Sequence, residues 1–231
     1  MGGIALGLAE NNNYYSAISK EAREEIDVVT QRVLIVSAAI NLCIASLAWS
    51  AEPAKLAEAC TGCHGQNGAN TEADVPNIGG YSKVYQVLTL EAFKNSKRPC
   101  PETNYRTGDK AGTKTTMCEV AKELDSKDAE QIAEHFAAQK FVVTPQQSDP
   151  VLAAKGKDVF QKSCIKCHSI EGVIANDDAG ILAGQKTAYI SRQIEQFTAG
   201  TRPMSLKMKA RFEKLEKADL DAVIQYLASF K

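Results

Sequence analysis

The chain has 231 residues, 44% of them hydrophobic and 24% charged, with a formal net charge of −1. That balance suits a folded protein of one large or two small domains, and it supplies no cationic excess for gripping a nucleic acid backbone. Aromatic residues are only 6%, so the informative residues are the scarce ones: seven Cys, three His and four Met.

Residues 1–50 read as an N-terminal extension with an export signal. Val33 to Trp49 is an apolar run with Arg32 just before it, and Ala48 and Ser50 stand at the −3 and −1 positions of a small-residue cleavage site ahead of Ala51. The run is short for a membrane span of ~20 residues; left uncleaved, it would be a membrane anchor. Cys43 follows Leu42, where a lipidation signal needs a small residue. The stretch 1–31 is long and partly acidic for the region ahead of a signal core, which points to a translation start downstream of Met1. Export predicts a periplasmic mature chain, in a compartment where disulfides persist.

The first predicted domain, 51–147, opens on Cys60-Thr61-Gly62-Cys63-His64. Two thiols three positions apart can each add to a vinyl group of haem, and the adjacent histidine then faces the iron from the same side, which is the c-type attachment signal. The competing readings are a zinc site or a redox dithiol; zinc ribbons place their Cys pairs closer together, and a bare dithiol does not need a histidine at the fifth position in both copies. Apolar spacing predicts helices at Val84 to Phe93 and at Lys127 to Phe136. A polar linker, Thr144 to Pro150, follows. The second predicted domain, 148–231, has helices at Val151 to Lys166, with Asp149 as N-cap, at Thr187 to Phe197, and at Lys217 to Phe230. It carries the second motif, Cys164-Ile165-Lys166-Cys167-His168. No segment reads as a strand, so the fold class is all-α, in short helices with long loops. Each unit has a thin core for its length, which calls for something other than side chains at its centre.

The two domains are copies. A shift of 104 lays the first motif on the second, and also Gly68 on Gly172, Gly80 on Gly184, Tyr85 on Tyr189, Phe93 on Phe197 and Arg98 on Arg202. The frame then changes to 91, laying Met117 on Met208, Leu124 on Leu215 and Ala137 on Ala228. The first half therefore holds 13 extra residues between Pro99 and Met117. An iron that already has one histidine ligand needs a second axial ligand for fast electron transfer, and a methionine thioether favours the ferrous state. The repeat selects Met117 and Met208, with Met204 as the competitor of Met208. His135, whose repeat partner is Tyr226, reads as a packing residue.

Residues 52–231 resemble two tandem class I cytochrome c domains, as in the dihaem cytochromes c4 and the dihaem subunit of flavocytochrome c sulfide dehydrogenase. The residues carrying the resemblance are the two Cys-x-x-Cys-His motifs, Gly156 and Phe160, the stretch Ile181 to Gln185, Met208 with Leu215, and Tyr226 to Ser229. It implies two covalently bound haem c groups, attached through Cys60 and Cys63 and through Cys164 and Cys167. It implies iron ligation by His64, Met117, His168 and Met208. It also implies that Gly156 and Phe160 pack against Tyr226 or Leu227, and that Pro76 accepts the His64 ring proton. The first half departs from the pattern at Glu52 and Leu56, which predicts a short or loose first helix; the second departs at Gly180, which replaces Pro76. With four cysteines given to haem, Cys100 and Cys118 remain as a disulfide pair, or as a free thiol that ligates or reacts.

The function implied is a dihaem electron carrier with no catalytic residues of its own. Its partners would be redox proteins: a flavoprotein subunit, a small cytochrome or a terminal oxidase. The alternative is the cytochrome subunit of a flavocytochrome c sulfide dehydrogenase or another sulfur-compound dehydrogenase; a self-contained dihaem enzyme would need an open iron position. The first domain is net negative and the second net positive, and Lys207, Lys209, Arg211, Lys214 and Lys217 cluster about Met208. That cluster would steer an acidic partner, or would be a solvated helix face.

Overall fold

A computed structural model describes residues 53–176 and 179–231; the expected signal segment, and its reading as an anchor, lie outside these residues. The chain repeats one order of helices twice. The first lobe has α1 (53–64), α2 (Lys83–Lys94), α3 (Met117–Lys122) and α4 (Ser126–Ala137); the second has α5 (Pro150–Ser163), α6 (Thr187–Thr198), α7 (Leu206–Phe212) and α8 (Lys217–Ala228). Helices α2 and α6 start and stop 104 residues apart, and α4 and α8 start and stop 91 apart, so both frames of the repeat hold in three dimensions.

Local chemistry fixes the helix starts. Asp149 accepts from the backbone N–H of Val151 and Leu152, with Pro150 in the first turn. Reciprocal side-chain caps open α3 (Thr116 with Glu119), α4 (Asp125 with Asp128) and α8 (Glu216 with Asp219). Helices α3 and α7 have six and seven residues, under two turns each, too short to leave a legible apolar period. The insert also corrects the expectation of no strands. Its β1 (Thr103–Asn104) and β2 (Lys114–Thr115) pair antiparallel, Thr103 opposite Thr115; a two-residue ladder leaves no alternation to read.

In the second lobe α5 crosses α8 at a glycine. A Cβ on Gly156 would lie 2.0 Å from the Ala222 carbonyl oxygen, so only glycine permits this approach. Phe160, one turn on, is fully buried with its ring centroid 5.5 Å from that of Tyr226; the expected crossing is present. The first lobe has a smaller core of Ala57, Ile132 and Phe136, with Leu56 packed against it. This corrects the expectation of a loose first helix: α1 runs unbroken through the attachment motif, and Leu56 occupies the place that Phe160 fills in the second lobe. Glu52 is outside the described residues.

Buried polar groups join the two lobes. Gln185, with no exposed surface, donates to the Asn77 carbonyl and to the Tyr81 hydroxyl at 2.8 Å each, and accepts from Asn77 N–H at 3.1 Å. The start of the linker and the residues just before it are stitched into this seam: Val142 and Thr144 accept from Asn77 Nδ2 at 2.7 and 3.1 Å, and Thr144 N–H donates to Gly184. Gly184 sits at φ 71°, and a Cβ there would lie 2.6 Å from Val143, so both backbone and space demand glycine.

Candidate functional site

The thin first-lobe core surrounds a largely apolar cleft of about 1400 Å³, its open mouth included. Four of the predicted residues line it together: Cys60, Cys63, His64 and Met117. The first three follow from helix geometry. Positions i, i+3 and i+4 share one face of α1, so both thiols and the imidazole address the same space. Met117 comes from another element. It is the first residue of α3, fixed by the Thr116–Glu119 cap and by the Cys100–Cys118 disulfide, whose Cα atoms are 5.8 Å apart.

His64 is 8% exposed, and its Nδ1–H donates to the Pro76 carbonyl at 3.0 Å. That bond commits Nδ1 and leaves Nε2 with its lone pair. Burial also lowers the pKa of the ring, holding it neutral as metal ligation requires. Burial raises the thiols: Cys60 and Cys164 are pushed up to about 11. Protonated thiols do not suit a reactive dithiol, and no group of three or more His, Cys, Asp or Glu capable of holding a metal ion exists among the described residues. The cleft therefore fits haem c: two thiols for the vinyl groups, a neutral imidazole with one free nitrogen, a thioether, and apolar walls for the macrocycle.

The insert closes one side of this cleft. Arg106 and Thr107 N–H both donate to the Gly62 carbonyl, at 2.7 and 3.0 Å, and Tyr105 packs on Gly62, where a Cβ would lie 3.0 Å from its ring. Arg106 also pairs with Glu72 and Asp74 at 3.7 and 3.2 Å. The second lobe closes another side with Tyr189, Arg192 and Gln193 of α6. Arg98 and Arg202, a matched pair in the repeat, stack over Phe93 and Phe197, with guanidinium-to-centroid distances of 4.4 and 4.3 Å.

In the second lobe Cys164 caps the end of α5, and the motif lies in the turns that follow, with Cys167 and His168 N–H bonded to the Cys164 carbonyl. Cys164 and His168 are half-buried, whereas Cys167 is exposed. Met208 lies in the first turn of α7, its N–H bonded to Ser205 Oγ, and Met204 lies just ahead of that cap; both are half-buried. The departure at Gly180 has a physical cause in the seam. A Cβ there would lie 2.9 Å from the ring of Tyr85 and 3.2 Å from that of Tyr81, so the first lobe's aromatic pair excludes a proline.

A family model described as Cytochrome c matches residues 50–139 and 153–231. Cytochrome c4 of Stutzerimonas stutzeri is 30% identical over 212 residues, which cover 84% of this chain and 97% of that protein. A protein named Thiosulfate dehydrogenase electron acceptor, from Thiomonas intermedia, is 28% identical over 198 residues, covering 80% and 84%. The solved structure of reduced recombinant cytochrome c4 from Pseudomonas stutzeri matches with a TM-score of 0.61 at 29% identity, over 78% of this chain and 97% of that one.

Proposed function

The chain belongs to the cytochrome c family and is a dihaem electron-transfer protein with covalently bound haem c; on that premise we propose that it is a periplasmic carrier whose irons are held by His64 with Met117 and by His168 with Met208. Each haem, when bound, supplies a one-electron ferric–ferrous couple. The protein's own part is attachment, orientation and exclusion of water. Cys60 and Cys63, and Cys164 and Cys167, form the thioethers. Pro76 fixes the tautomer of His64. The apolar cleft keeps the site dry, so little solvent must reorganise when charge moves. With His64 and Met117, and His168 and Met208, as the ligand pairs, neither site would offer an open position for substrate, which favours a carrier over an enzyme.

The observation that carries this reading is the gathering of Cys60, Cys63, His64 and Met117 on one cleft, in a lobe whose sequence frame recurs in the second half. The export signal supports the periplasm. The test is the thioether-to-iron absorption band of the oxidised protein. Met117→Ala and Met208→Ala should each remove half of it. A band that survives Met208→Ala and is lost in Met204→Ala would overturn the second ligand assignment.

The similarity to the Thiomonas protein favours one second reading, in which the donor is a dehydrogenase of a sulfur compound. Co-purification with such an enzyme, and reduction by it, would establish that reading.

A further inference from the structure

The second lobe sends a buried lysine into the wall behind His64, near Arg192, which donates to the Asp74 carbonyl at 2.8 Å. Lys186 caps α6 and is 2% exposed. Its ammonium donates to the Val75 carbonyl at 2.8 Å and to Asn70 Oδ1 at 2.5 Å. Asn70 passes the contact on: its Nδ2 donates to the Val75 and Pro76 carbonyls, at 3.3 Å each. The Pro76 carbonyl is the acceptor of the His64 ring proton. One amide and one carbonyl therefore link a lysine of the second lobe to the imidazole of the first.

The repeat makes this arrangement one-sided. The frame of 104 places Ser82 where the second half has Lys186, and Ser82 Oγ donates to the Asn176 carbonyl across the seam at 3.2 Å. The cross-lobe reach exists in both directions, but only one copy carries a charge.

We infer that Lys186 is a positioning residue for the first-lobe site: a fixed cation, held across the seam, that raises the reduction potential of the iron bound through His64 and has no counterpart on the other side. The inference rests on His64 being an iron ligand. Two effects act in the same direction. A positive charge in a poorly solvated seam disfavours the ferric state, which carries the extra positive charge. Donors converging on the Val75 and Pro76 carbonyls also weaken the acceptor of the His64 proton, so the imidazole gains less anionic character and supports ferric iron less. Glu72 and Asp74 face the ammonium, but Arg106 pairs with both, so they offset the lysine only in part.

The test is a spectroelectrochemical titration of the two-haem protein and its variants. Met117→His identifies the first-lobe step by exchanging its ligand. Lys186→Met should lower that step and leave the second-lobe step in place; Lys186→Arg should restore it, and Ser82→Ala should move neither. If the Met variant fails to accumulate with two haems, Lys186→Gln removes the charge while keeping a donor. The inference is overturned if the neutral variants, with both haems bound and the thioether band intact, leave the first-lobe step unmoved or shift both steps equally. If Met117→His moves neither step, the Met117 assignment has failed, and the step lost in Cys60→Ser/Cys63→Ser identifies the first-lobe haem instead, against which the Lys186 variants are read.

Discussion

Arg98 of the first lobe donates through Nη2 to Oε1 of Gln193 in the second lobe at 2.8 Å. Arg202 donates to the same oxygen at 2.6 Å. One neutral amide thus holds two guanidinium groups, of which Arg98 is 7% exposed. Replacing the amide by an apolar group of similar size leaves both cations without that acceptor in a buried seam. Gln193→Leu should cost about 3 kcal/mol, since charge-assisted bonds contribute about 1.5–3 kcal/mol each and buried charges stripped of partners cost more. Chemical denaturation followed by far-ultraviolet dichroism measures it; a change below about 0.5 kcal/mol would mean that the seam repacks freely.

The Cys100–Cys118 disulfide closes a loop of 18-residue separation next to Met117. Loop entropy assigns such a closure about 3 kcal/mol. The double variant Cys100→Ser/Cys118→Ser should lose about that much stability and weaken the first-lobe thioether band before the second-lobe band as denaturant rises. Equal loss from both lobes would contradict the placement of the bridge beside the first ligand alone.

Burial lowers the pKa of Lys186 from 10.5 to about 8, with Glu72 and Asp74 pulling the other way. The unfolded chain keeps this proton up to about pH 10.5, whereas the folded chain releases it near 8. Between those values the unfolded state binds more protons, so stability rises with pH across the window. Below pH 8 both states are protonated and the folded state bears the full cost of burial. The wild type should therefore gain stability on Lys186→Met between pH 8 and 10.5, read from urea midpoints. A difference that is constant across that range would contradict the shift.

The cationic surface around Met208 is only partly neutralised within the chain: Lys209 pairs with Glu213 at 3.6 Å and Lys217 with Asp221 at 2.6 Å. Leu206, beside it, is 84% exposed. An exposed apolar residue within a basic rim suits an acidic redox partner. Rates of reaction with such a partner should fall as ionic strength shortens the Debye length below about 10 Å, and Lys207→Glu should slow the low-salt rate. A rate that is flat with salt, and equal in wild type and variant, would return the cluster to a solvated helix face.

The repeat carried most of the fold because it pairs residues that do the same physical work. The matches of Gly80 with Gly184 and Gly68 with Gly172 mark backbone at positive φ in both lobes, and the long amphipathic helices keep their apolar period. The attachment motifs were legible as a spacing and Met117 as a repeat match, whereas the Pro76 acceptor came from the resemblance to class I cytochromes c, since the repeat has Gly180 in its place. The seam was not. Lys186, Asn70 and Gln193 act across more than 90 residues of chain, and a single lysine or amide leaves no local period. Arg98 and Arg202 were visible as a matched pair, but their meeting on one oxygen depends on how the lobes dock. The role of the insert in covering Gly62 was likewise hidden, because a two-residue ladder imposes no pattern on sequence.

The central claim is that each lobe holds its own porphyrin by thioether bonds from its cysteine pair. Intact mass spectrometry of the exported protein, before and after extraction with acidified acetone, tests it most directly. The expected result is the mass of the processed chain plus two haems, unchanged by extraction, with Cys164→Ser/Cys167→Ser lowering it by one haem. A chain at its bare polypeptide mass, or one that gives up its colour to the solvent, would contradict the account.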